Sequence, residues 1–232
     1  MGITESWLQK HHESFVKATM HPFILSIKQG TINPSSFKTW LVIYQKPIVL
    51  AQDYIFVREF VPFVASVLLK ACKQVGDPDG CEMETILGGL ASLHDEISWF
   101  KKEASKWDVS ISGIVAQEPN REYCRFLGNL MQPEVDYAAC ITAFWAIEMV
   151  YQTSFELCLE PGSKTPADLL ETCQRWGNSS FKHYCSSLQS IADHCLEKAE
   201  EDVLREAEEA FVRVLHNEVG FWNMSYGDAQ TS

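Results

Sequence analysis

The stretch from Tyr137 to Phe155, YAACITAFWAIEMVYQTSF, is apolar or aromatic nearly throughout and carries a single charge, Glu148. It reads as a core-bound helix. A carboxylate in such a helix is costly to bury unless it is paired, hydrogen-bonded or neutralised, and a cleft is where that cost is commonly met. Helical spacing sets Phe144 and Trp145 before it and Tyr151 after it on the same face. An acid surrounded by rings suits a flat heteroaromatic ligand.

The rest of the chain repeats the period near 3.6 and offers almost no strand alternation, so the fold class is all-α. A first helix is expected over about Glu5 to Met20, then a short one closed by Gly30 after the Pro22 break. A helix opened by Asn33-Pro34-Ser35 carries Trp40, is interrupted at Pro47 and resumes through QDYIFVREFVPFVASVLLKACKQ. Further helices are predicted over about Glu82 to Trp107, Glu118 to Met131, the Glu148 segment, Thr165 to Arg175, Ser179 to Ala199 and Glu200 to Met224. The last has an acidic outer face and an apolar inner one at Ala207, Phe211, Val214, Leu215 and Phe221. The length of 232 residues fits one domain spanning residues 1–232.

Thirty-one acids against 19 bases leave a formal charge of -12, which argues against a nucleic-acid partner, since phosphate backbones call for a basic surface. Eight cysteines without a CxxC spacing read as reduced thiols in a cytosolic compartment. The N-terminus lacks an apolar signal-like run, and no apolar stretch reaches the ~20 residues that span a bilayer. Gly2 and Ser6 match a myristoylation pattern, but no polybasic stretch follows to supply a second anchor.

Asp53 and Glu218 resemble Glu148 in their surroundings. Asp53 is the only charge in PIVLAQDYIFV, and Glu218 precedes Phe221 and Trp222. Three lone carboxylates on three helices could converge on one cavity, or they could be unrelated acids that cap, pair or face outward. If they converge, two carboxylates in a dry pocket cannot both stay charged cheaply, so one becomes a proton donor and its neighbour a base. One acid can then activate water, the other protonate a departing amine, and the third anchor an amino-substituted ring. A di-iron centre would need Glu-x-x-His on two helices, and none of the seven histidines has a Glu three residues before it. His21, His94 or His216 could be nominated for a haem, but a lone helical histidine is more often structural. The expectation is no metal and no cofactor.

Five segments in order, FKTWL with QDYIFVREFVPFVASVL, LASLHDEISWF, ITAFWAIEMVYQTSF, RWGNSSFKHYC and VLHNEVGFWNMS, resemble the TenA/THI-4 family, in particular its plant-type thiamin-salvage branch TenA_E. The resemblance covers about Trp7 to Met224. It implies a haem-oxygenase-like helical bundle without haem, usually a homo-oligomer, dimer or tetramer. It also implies hydrolysis of aminopyrimidines from damaged thiamin: deformylation of N-formyl-4-amino-5-aminomethyl-2-methylpyrimidine, then conversion of the amine to the hydroxymethyl pyrimidine, without a cofactor.

By the same resemblance, Asp53 grips the pyrimidine amino group and ring nitrogen, and Glu218 transfers a proton to the leaving amine. Phe56, Tyr123, Trp145 and Trp176 wall the ligand. The bacterial branch begins the Ala143-Phe144-Trp145 segment with a cysteine nucleophile; this chain has Ala143, and Glu148 one turn along is the acid implied instead. Cys140, a turn upstream, is better explained as inert packing. Relatives read FKTWLxQDY, so Ile43 to Ala51 looks like a nine-residue insertion before Asp53. Nine helical residues would turn the preceding face by about half a circle. A catalytically weak pyrimidine-binding or storage protein is therefore the alternative to an enzyme.

Overall fold

A computed structural model describes residues 2–33, 52–73, 81–106 and 115–226. The expected insertion at 43–51, Trp40 and Pro47 lie outside the described residues. Among those described, every regular element is helical and no strand occurs. The helices are α1 (Ile3–Lys10), α2 (His12–Thr19), α3 (Pro22–Lys28), α4 (Gln52–Ala71), α5 (Cys81–Lys106), α6 (Glu118–Leu130), α7 (Tyr137–Leu157), α8 (Leu170–Gly177), α9 (Ser179–Leu196) and α10 (Glu201–Tyr226). A 3-10 turn, Ala167–Leu169, leads into α8.

Contacts divide the chain into two compact units. The first comprises residues 1–31 and 132–219, the second 32–131 and 220–232, so α10 contributes to both. In the first unit α7 is the central element, with α2, α3, α8 and α9 packed on it and α1 laid on α9. Its apolar composition all round demands that position: only Thr153, Glu148, Glu156 and Leu157 escape full burial along its length. Asp136 caps it, accepting from the Ala138 amide at 2.8 Å. Asn178 does the same for α9 through the Phe181 amide at 2.9 Å.

α7 and α8 approach closely where Gly177 meets the Phe155 backbone. A Cβ built at Gly177 would lie 2.6 Å from the Phe155 carbonyl carbon, so the position admits only hydrogen. In the second unit α4 packs on α5 and α6. Its buried face runs through Asp53, Phe56, Val57, Phe60, Phe63, Val64 and Val67, while Pro62 stays on the exposed side without ending the helix.

One expected helix is divided in two. The run from Glu5 to Met20 breaks at His11, whose backbone leaves the helical region at φ -107°, ψ 27°. The cause is tertiary. The His11 imidazole is drawn to Glu208 of α10 at 2.5 Å, and its ring rests 6.1 Å from Phe211. Lys10 reaches the same carboxylate oxygen at 2.7 Å.

Candidate active site

In the second unit, Asp53 stands on the first turn of α4 and is 1 % exposed. Phe56 follows one turn on. Its ring lies 4.6 Å from that of Tyr123 on α6 and 5.7 Å from Phe221 at the end of α10, and Tyr123 also meets Phe221 edge-on at 6.5 Å. Edge-to-face and tilted contacts at these distances are favoured by the ring quadrupoles. Two expected wall residues, Phe56 and Tyr123, thus share one buried ring cluster on the unit that carries Asp53.

The first unit holds Trp145, Glu148, Trp176 and Glu218. Glu218 is fully buried at 0 %, and Glu148 is half-buried on α7. Trp145, one turn before Glu148, stacks on Phe211 at 5.6 Å and 12°, and Phe211 in turn meets Trp7 at 6.1 Å. Trp176 on α8 packs edge-on against Tyr151 at 5.7 Å and tilted against Phe155 at 5.2 Å, one and two turns beyond Glu148. Rings thus flank α7 both before and after Glu148 along the helix.

Glu148 sits near Cys185 of α9. Burial first, and then the negative charge of Glu148, push that thiol well above the ordinary range, so it stays a neutral S–H. Cys140 is 1 % exposed and Ala143 is fully buried. Cys173 is held far above the usual thiol range by its hydrogen bond with Cys158 and by burial. Thiols pushed up in this way are poor nucleophiles.

Sequence reasoning missed a polar network beside Asp53. Gln52, the residue before it, is fully buried, as is Asn120 on the first turn of α6. Asn120 Nδ2 donates to the Gln52 carbonyl at 2.7 Å and to Gln52 Oε1 at 3.0 Å. Gln52 Oε1 also accepts from the Gln117 amide at 2.9 Å, and Gln52 Nε2 donates to the Val115 carbonyl at 3.2 Å. Neither residue stands in a pattern that announces the other, because they are 68 positions apart.

Among the described residues no group of three or more His, Cys, Asp or Glu is arranged to hold a metal ion, and no helix is long and apolar enough to cross a membrane. The TENA/THI-4/PQQC family model matches residues 7–228. A Glycine max protein named "Probable bifunctional TENA-E protein" is 57 % identical over 228 residues, covering 98 % of this chain and 95 % of that relative. A solved TenA homologue from Pyrococcus furiosus superposes with a TM-score of 0.81 at 20 % identity, covering 96 % of this chain and 98 % of the other. A solved TenA family transcription regulator from Silicibacter gives 0.80 at 18 % identity, with 96 % of each chain covered. At those identities the two structures speak for the fold alone.

Proposed function

The chain belongs to the TENA/THI-4/PQQC family, and from that membership we propose that it hydrolyses aminopyrimidines arising from thiamin breakdown, acting as a single TenA-like domain. The observation that carries this reading is the 57 % identity to a TENA-E protein across 98 % of the chain. The candidate substrates are N-formyl-4-amino-5-aminomethyl-2-methylpyrimidine and the aminomethyl pyrimidine that its deformylation yields. In the first reaction water adds to the formyl carbon, the C–N bond breaks and formate leaves. In the second, water oxygen replaces nitrogen on the exocyclic methylene carbon and ammonia leaves.

Both reactions need a proton removed from water and one delivered to the departing nitrogen. Glu148 and Glu218 carry those transfers, with Glu218 serving the leaving amine. Asp53 holds the pyrimidine amino group and ring nitrogen, and Phe56, Tyr123, Trp145 and Trp176 supply ring surface. Three features support these roles: Asp53 and Glu218 are almost wholly withdrawn from water, Glu148 keeps partial access to it, and the Cys185 thiol near Glu148 is held protonated. The reading includes a homo-oligomer, dimer or tetramer, working in the cytosol.

Glu148→Gln keeps the shape and removes the titrating group, so kcat on the aminomethyl pyrimidine should fall at least ~100-fold. Thermal stabilisation by the same pyrimidine should persist. Undiminished turnover in that variant rejects the role of Glu148. Stabilisation of the wild-type chain without any turnover would make it a pyrimidine-binding protein instead.

A further inference from the structure

We propose that Gln52 and Asn120 are positioning residues that fix Asp53 in register with Tyr123, so that the pyrimidine-gripping carboxylate and its ring wall are in place before a ligand arrives. The inference rests on the role proposed above for Asp53 and extends it to two residues bonded to one another at the starts of α4 and α6.

The two amides are bonded to each other and to the backbone around them. Both Nδ2 hydrogens of Asn120 are committed to Gln52, one to its main-chain carbonyl and one to its side-chain Oε1. Asn120 Oδ1 accepts from the Cys124 thiol at 3.3 Å. Burial and the charge of Glu59 push that thiol up to about 12, so it remains a donor across the physiological range. Gln52 Oε1 also accepts from the Gln117 amide, and Gln52 Nε2 donates to the Val115 carbonyl. A buried network in which every member is satisfied rigidifies its surroundings, whereas one left partly satisfied is costly.

What the network ties together decides its consequence. Gln52 is the first residue of α4 and the immediate neighbour of Asp53. Asn120 is in the first turn of α6, one turn before Tyr123. The two bonds therefore join the N-terminal ends of the helices that bear the acid and the ring. One turn further along each helix the Phe56 and Tyr123 rings meet at 4.6 Å, which closes the pairing. A general-purpose stitch could have stood anywhere along α4 and α6; this one is made by the residue that precedes Asp53. Positioning groups of this kind act by holding a binding group within a fraction of an ångström of its productive place.

The test is a double-mutant cycle in the full chain, with KM and kcat measured on 4-amino-5-aminomethyl-2-methylpyrimidine and its binding followed by calorimetry. Asn120→Ala should raise KM about tenfold, with a smaller change in kcat, because it loosens the ring-binding acid rather than the proton-transfer groups. Asp53→Asn alone should raise KM at least as much. In the double variant KM should match that of Asp53→Asn, since there is no longer a carboxylate to position.

An unchanged KM in Asn120→Ala overturns the inference. So does a double variant whose KM rises by the product of the two single effects, the signature of a structural role independent of Asp53. If Asp53→Asn leaves KM and binding unaltered, the role of Asp53 falls first and takes this inference with it. Should Asn120→Ala not fold, Asn120→Ser keeps a donor on a shorter arm, and the same cycle is read with it.

Discussion

Trp145 gives one face of its indole to Phe211, and both rings are almost wholly withdrawn from water. Phe211→Ala would leave that indole against a cavity and should cost about 3–5 kcal/mol in urea unfolding, with loss of near-ultraviolet dichroism from the stack. The cysteines should separate by reactivity. Cys72 is exposed, whereas Cys140, Cys158, Cys173 and Cys185 are buried, so a thiol reagent at pH 8 should label Cys72 at once and those four only on unfolding. Cys124, raised to about 12, should lag as well. Glu148 was legible because a single charge in an apolar run stands out at any register. Its neighbour Cys185 was not, because adjacency across α7 and α9 is a property of packing that spacing within one helix does not encode. The Gln52 and Asn120 pair was hidden for the same reason, with the added difficulty that polar residues near helix starts are ordinary.

Helix positions followed from periodicity because apolar stripes at 3.6-residue spacing must be buried together, and α5, α6, α7 and α9 begin within a few residues of where the pattern places them. The break at His11 escaped notice since nothing local stops the helix there; Glu208 and Phe211, nearly two hundred residues away, hold the imidazole out of line. The start of α1 is likewise secured from afar. Asp193 of α9 accepts from the Thr4 amide at 2.8 Å and from the Thr4 hydroxyl at 3.0 Å, and Gln189 donates to the same hydroxyl at 3.1 Å. Asp193→Ala should therefore cost about 1–2 kcal/mol, the usual loss of a capping carboxylate, and speed amide exchange in α1 above all other helices. Gly177→Ala should do more damage than its one added methyl suggests. The obstacle it meets is Phe155 backbone, which cannot rotate aside, so α7 and α8 must part and the denaturation midpoint should fall clearly below that of the parent chain.

Acid sensitivity is a property of the whole chain, with 31 acids against 19 bases, but two carboxylates should weigh in it beyond their number. Burial pushes the Glu208 carboxyl up, yet hydrogen bonds from Lys10 and His11 outweigh this and hold it below its ordinary value near 4.5. Glu156 is lowered chiefly by its hydrogen bond from Lys182. A group whose folded value is depressed adds stability above the unfolded value and surrenders it as pH falls through the folded one. Glu208→Gln should accordingly lower stability at pH 7 and flatten its decline below about pH 4.5, which parallel urea titrations would show. How α10 is shared carries a further consequence. It supplies Phe211 to the ring stack of one unit and Phe221 to that of the other, with the division falling after Val219. A message cut short by a stop codon just past that point would leave the Trp145 stack complete and rob Phe56 and Tyr123 of the ring they both lean on. Such a product would keep Glu148 and Glu218 in the chain but lack Phe221.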